Sequence, residues 1–256
     1  KERAKCWNKI FGERRPWSPS TINHMLLAHQ GSVDQEFQDF TSEEILECIK
    51  KTRRSAPGPD GIPFNFYKMT ATQLLPYWKE LIHWIADGNP MDSEFVEGNL
   101  VLLAKAHGRI KADKFKPITV TNADYRLIMA LWANRLSKAI NLWICQSQRA
   151  LLKGRFIKEC VDPIHDTFVQ WRREGKKGVL LQTDFAKAFD YLNRDALRHI
   201  LKQINIPKPI RNAMNIALMD APTHLIYPGA LPITIKSITG TKQGCPASPL
   251  LFIMAM

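Results

Sequence analysis

GVLLQTDFAKAFD (178–190) opens as a short apolar run and closes that run on a carboxylate, Asp184. An apolar run of this length ending on one acid is the pattern of a buried strand that delivers a polar group to a sheet edge. Read alone, Asp184 could equally cap a helix or pair with a base. Asn193 is a good N-cap, and Leu197, Ile200 and Leu201 then mark one face of a helix. Further along, TKQGCPASPLLF (241–252) places Pro246 and Pro249 in the first turns of a last helix, where a missing N–H costs little. Gly244 permits close backbone approach there, and Gln243 brings side-chain donors.

Between these two stretches, THLIYPG (223–229) and LPITIKSITG (231–240) straddle a Pro-Gly turn and read as a hairpin. Upstream, Thr41 stands three residues ahead of Glu44, a capping box, and Ile45, Leu46 and Ile49 follow on one helical face. That helix ends in Lys50, Lys51, Arg53 and Arg54, which suit the negative end of a helix dipole. SAPGPDGIP (55–63) cannot continue a helix and forms a rigid loop. Helices are expected over about 70–87 and 124–142, separated by the extended segment NLVLLAK (99–105) and a charged loop. Tyr125, Ile128, Trp132, Leu136 and Ile140 recur at spacings of three and four, so one face of the second is core. Residues 1–40 are basic, weakly periodic and punctuated by WSPS (17–20), an extension or linker.

The chain has 256 residues, 45% of them hydrophobic, enough for a sizeable core. Thirty-six Lys and Arg against 24 Asp and Glu give a net charge of +12, which favours a polyanionic partner without requiring one. Five cysteines, odd in number and never spaced as CxxC, specify neither a disulfide framework nor a zinc site, so a reducing compartment is the default. No apolar run approaches the roughly 18 residues of a membrane span, and no signal-type apolar core follows the basic start, so no membrane partner is expected.

Asp184-Phe185-Ala186-Lys187-Ala188-Phe189-Asp190 resembles the first palm motif of non-LTR (LINE-type) retrotransposon reverse transcriptases. Thr241 to Pro249 resembles their second palm motif, Gln-Gly-Cys-Pro-x-Ser-Pro. SAPGPDGIPFNFYK (55–68), the span 99–136 and QRALLKGRFIKECV (148–161) resemble upstream blocks of the same elements, in the same order. The resemblance implies an α+β polymerase right hand: an N-terminal extension at 1–40, fingers over 41–178 and part of the palm over 179–256. It implies an RNA-directed DNA polymerase that uses an RNA template, a DNA primer, deoxynucleoside triphosphates and two magnesium ions.

By the same resemblance Asp184 is the catalytic carboxylate and a ligand of both ions, with the Phe185 carbonyl as a main-chain ligand. In-line phosphoryl transfer needs such carboxylates to bridge a metal that activates the primer hydroxyl and one that neutralises the triphosphate. Phe189 would exclude a ribose 2′-hydroxyl, Gln243 and Gly244 would contact nucleotide or primer-template, and Lys105 and Lys116 would grip the triphosphate. Gly154 and Arg155 would touch the template. Lys116 stands where the family has arginine, keeping the charge but losing the bidentate fork, and Phe156 replaces a small hydroxyl residue. These departures lend some support to the alternative of a non-catalytic nucleic-acid-binding remnant or domesticated protein with the same fold. A group II intron maturase fits less well, because its second motif reads Gln-Gly-Gly. The chain starts at Lys1 and stops at Met256 within PLLFIMAM, so a fragment is expected, cut before the family's Asp-Asp hairpin and inactive by itself. Membership of an active element would also imply nuclear access.

Overall fold

A computed structural model describes residues 2–28, 33, 36–53, 55–104, 111, 114–227 and 229–256. In chain order the elements are α1 (Glu2–Gly12), α2 (Pro19–Ala28), α3 (Ser42–Lys51), α4 (Phe64–Met69), α5 (Leu75–Asp87), α6 (Ser93–Val96), β1 (Gly98–Ala104), β2 (Phe115–Thr121), α7 (Ala123–Ile140), α8 (Lys158–Arg173), α9 (Arg194–Gln203), α10 (Lys208–Ala217), β3 (Ala221–Leu225), β4 (Ile233–Ser237) and α11 (Ser248–Met254).

The strands form one sheet in the order β2-β1-β3-β4. β1 runs antiparallel to β2, from Gly98 opposite Thr121 to Ala104 opposite Phe115, and parallel to β3, with Gly98 opposite Thr223. β3 and β4 make the expected antiparallel hairpin, Ala221 opposite Ser237. The parallel step requires a long crossover, which α7 to α10 supply. It also puts strands from either side of residue 178 into a single sheet.

Two cores flank this sheet. The larger is built by α3, α4, α5, α7, α9, α10 and α11 around Trp78, Ile82, Ile85, Ile128, Trp132, Leu136, Leu201, Met214 and Leu251. Phe37 stacks on Trp132 with ring centroids 5.5 Å apart, and Phe40 meets the same ring edge-on at 5.0 Å. The smaller core packs Trp7, Ile10 and Phe11 of α1 against Leu100, Phe115, Leu225 and Ile235 of the sheet.

Local chemistry fixes the helix ends as the sequence indicates. The Thr41 hydroxyl accepts from the Glu44 N–H at 3.2 Å, and the Glu44 carboxylate accepts from the Thr41 N–H at 3.1 Å, a complete capping box. Arg135 of α7 donates to both Glu44 oxygens, at 2.9 and 2.7 Å, which pins α3 to α7 and holds that carboxyl below its ordinary range. Asn193 caps α9, its side-chain oxygen accepting from the Asp195 and Ala196 N–H groups at 2.9 Å.

Several expectations are corrected. The lead is helical: α1 buries Ala4, Trp7, Ile10 and Phe11, so its apolar residues form a core stripe and the segment is no irregular linker. β2 occupies what reads as charged loop, because Pro117 disguises it; Pro117 is tolerated since β2 is an edge strand. GVLLQTD is not a buried strand. Residues 176–185 are irregular, and Val179, Leu180 and Leu181 are 89%, 55% and 84% exposed. A strand exists only when a neighbour pairs its backbone, and the sheet's ordered edges at β2 and β4 do not reach this run. α8 likewise has no buried residue, and its row of Ile157, Val161, Ile164 and Phe168 faces solvent.

Candidate functional site

The stretches 184–190 and 239–244, distant in sequence, meet in a dense set of main-chain hydrogen bonds. The Thr241 N–H donates to the Phe189 carbonyl at 2.8 Å and the Gly240 N–H to the Leu192 carbonyl at 2.7 Å. The Thr239 hydroxyl also donates to Leu192, at 3.0 Å. Gly240 has φ +72°, and a Cβ there would lie 2.6 Å from the Asp190 carbonyl oxygen, so only glycine lets the chains approach this closely. A side-chain link completes the junction: Gln243 Nε2 donates to Asp190 Oδ1 at 3.0 Å.

The second stretch is also fastened to the sheet edge. The Thr119 N–H donates to the Gln243 carbonyl at 2.8 Å, and a Cβ on Gly244 would lie 2.3 Å from the Thr119 carbonyl oxygen. The missing side chain of Gly244 therefore accommodates β2 itself. Its φ of +137° belongs to the region that L side chains rarely adopt.

Beneath the junction lies Arg194, with its side chain 2% exposed. Its guanidinium donates to the Ser237 carbonyl at 2.7 Å, the Gly240 carbonyl at 2.8 Å, the Met219 carbonyl at 2.9 Å and Asp220 Oδ1 at 3.1 Å. Desolvation lowers this group to about 10, against the Asp220 charge, which leaves it charged at neutral pH. Lys242 is buried as well; desolvation, then the neighbouring Arg194 charge, depress its ammonium to about 7. Neither residue stands out in the sequence. Arg194 leaves one faint sign, a cation in the first turn of a helix, where the dipole disfavours it unless other acceptors hold it.

Asp184 and Phe185 lie on the exposed run just before the turn, and Phe185 is 60% exposed. Phe189 is half-buried, its ring tilted against Phe252 of α11 at a centroid distance of 4.9 Å. Lys116 is exposed on β2, on the face opposite the buried Phe115, Pro117 and Thr119. Lys105 falls outside the described residues. Gly154 takes φ +81° in an exposed loop. The guanidinium of Arg155 is spent inward on the carbonyls of Asn141, Ile144, Cys145 and Gln148, and so ties together the loop that follows α7. The structure thus brings the Phe189 and Gln243 stretches into one junction, sets Gly244 against β2, leaves Asp184 on the exposed run before the turn, and engages the Arg155 guanidinium with main-chain carbonyls.

Among the described residues no three His, Cys, Asp or Glu side chains group closely enough to hold a metal ion. Asp184 and the Phe185 carbonyl offer hard oxygen donors suited to a divalent ion, but they supply only part of an octahedral set. Asp190, the other acid of the turn, is 2% exposed and engaged by Gln243.

Residues 104–256 match the family model described as reverse transcriptase (RNA-dependent DNA polymerase). The chain is 28% identical over 218 residues to a retrovirus-related Pol polyprotein from type-1 retrotransposable element R2 of Popillia japonica, covering 84% of this chain and 30% of that protein. It is 23% identical over 236 residues to the corresponding polyprotein of Nasonia vitripennis, covering 92% and 22%. It is 24% identical over 250 residues to the Pol polyprotein from type-2 retrotransposable element R2DM of Drosophila melanogaster, covering 98% and 23%. The chain spans less than a third of the length of these relatives.

A mixed sheet stands beside the two joined motif stretches, and the chain is a member of the reverse transcriptase family. Within that family it is of the non-LTR retrotransposon kind, related to the R2 elements.

Proposed function

We propose that these residues form the fingers and the first part of the palm of an RNA-directed DNA polymerase that works within a longer polyprotein. The observation that supports this reading most is the junction itself, in which Thr241 bonds to Phe189 and Gln243 to Asp190 on the segment that carries Asp184. Asp184 and the Phe185 carbonyl would provide part of the ligand set for two magnesium ions, with the remaining carboxylates coming from elsewhere in the polyprotein. When bound, those ions would supply activation of the primer 3′-hydroxyl and neutralisation of the triphosphate.

The chain's own residues handle selection and orientation. Phe189, backed by Phe252, forms a firm wall against which a ribose 2′-hydroxyl would clash. Gln243, oriented by Asp190, presents its amide edge beside that wall. Lys116 on β2, with Lys105, meets the triphosphate as a point charge where a fork would bind two oxygens at once. Replacing Phe189 by valine should raise ribonucleotide incorporation about 10- to 100-fold relative to deoxyribonucleotide. Unchanged sugar preference in a primer-extension assay would reject Phe189 as the gate.

The 256 residues by themselves are expected not to extend a primer, because one carboxylate cannot complete the ligand sets of two ions. Extension above background by the purified chain would refute this. The rival reading, a non-catalytic nucleic-acid binder, draws on Lys116 and on Phe156, which is 65% exposed. It requires RNA binding without synthesis in the polyprotein as well.

A further inference from the structure

The turn that follows Asp184 is held in an unfavourable backbone state. Lys187 has φ +52°, a left-handed conformation that a lysine adopts only when its surroundings impose it. Its carbonyl accepts from the Asp190 N–H at 2.9 Å and the Tyr191 N–H at 3.1 Å, so the whole turn closes on this residue.

The N-terminal helix supplies a contact to the Lys187 side chain. Its ammonium sits 4.4 Å over the ring of Trp7, a side chain with no exposed surface. Trp7 is fixed in turn by stacking on Phe11, with centroids 5.4 Å apart, and the Phe11 carbonyl accepts from the Ile238 N–H at 2.9 Å, where β4 leads into the 239–244 stretch. Just beyond α1, the Arg15 guanidinium lies 4.2 Å over the Tyr191 ring, and the Arg15 carbonyl accepts from the Asn193 side chain. Residues 7–15 therefore touch Lys187, Tyr191 and Asn193 on one side of the junction and Ile238 on the other. The ion pairs of Arg14 with Asp195 and Asp220 are exposed and add little.

We infer that Trp7 is a positioning residue for the Asp184–Asp190 turn: its ring face holds the Lys187 side chain and so fixes the left-handed step between Asp184 and Phe189. A cation over a desolvated indole face is among the stronger contacts of its kind. This role rests on the reading of the turn as part of a polymerase site. It makes residues 2–15 a working part of that site.

Amide hydrogen exchange on the 256-residue chain tests it. The probes are the Asp190, Tyr191 and Thr241 amides, with amides around Trp132 in α7 as the reference. Lys187→Met is expected to speed exchange at the three probes about tenfold and leave the reference unchanged, while Lys187→Arg keeps them within about threefold. Trp7→Leu should match Lys187→Met. Trp7→Phe should retain most protection, because the indole N–H has no acceptor among the described residues and only the ring face is at stake. Three results would overturn the inference: unchanged probes in Lys187→Met, equal acceleration at the reference amides, or failure of arginine to preserve protection. The Lys187 variants keep the test decisive even if Trp7→Leu does not fold. Exchange is read without any synthesis, so failure here would leave the polymerase reading intact, and loss of that reading would leave the coupling measurable.

Discussion

Lys242 shows how far burial at this junction bends ordinary chemistry. Its ammonium has no hydrogen-bond partner among the described residues, and its proton is held only to about pH 7 in the folded chain against a usual 10.5. Above pH 7 the unfolded state therefore binds the extra proton more tightly, and stability should rise as pH increases from about 7 toward 10.5. Below pH 7 both states carry the charge, and the full penalty of burying it applies. Lys242→Met is expected to raise the denaturant midpoint at pH 6 and to flatten the rise between pH 7 and 9.5. A wild-type midpoint that does not climb over that interval would show the ammonium to be solvated. Arg194, a few residues of structure away, escapes this fate because carbonyls and Asp220 surround it. At this scale the sequence reveals residue types and conceals partners: Gln243 and Asp190 are both visible in their motifs, but their bond depends on how two remote stretches pack.

Among elements, those defined by their own neighbours in sequence were legible. Thr41 and Glu44 cap α3, Asn193 caps α9, the stripe through Tyr125, Trp132 and Ile140 buries α7, and the turn residues deliver the β3–β4 hairpin. Elements defined by a partner elsewhere were not. β2 carries a proline that only an edge strand can bear, which becomes evident once β1 is seen beside it. GVLLQTD has the composition of a buried strand but finds no backbone to pair with among the described residues, and stays in solvent with Asp184 at its end. α8 has the same character, with a helical stripe of Val161, Ile164 and Phe168 that stays exposed among the described residues. Replacing Val161, Ile164 and Phe168 one at a time by glutamine should change the stability of this chain by no more than about 0.5 kcal/mol each. Losses of 2 kcal/mol or more, of the order seen for buried apolar side chains, would show that the stripe is covered.

At the scale of the molecule, one sheet with a core on each flank holds together, among the described residues, side chains that the sequence scatters from Trp7 to Leu251. The larger core holds most of the buried apolar side chains, and the smaller, to which α1 contributes Trp7, joins the N-terminal helix to the turn beyond Asp184. Membership of the reverse transcriptase family was legible in the two motif stretches because their chemistry is local. The fastening of those stretches to β2 and to α1 was not, because it is written in three dimensions. The most direct measurement is RNA-templated primer extension by the polyprotein that carries these residues, wild type against Asp184→Asn, with RNA affinity measured in parallel. Loss of the metal-binding charge should abolish extension, by roughly three or more orders of magnitude, while RNA binding stays within about twofold. Undiminished synthesis by Asp184→Asn would contradict the assignment of this carboxylate as the catalytic one.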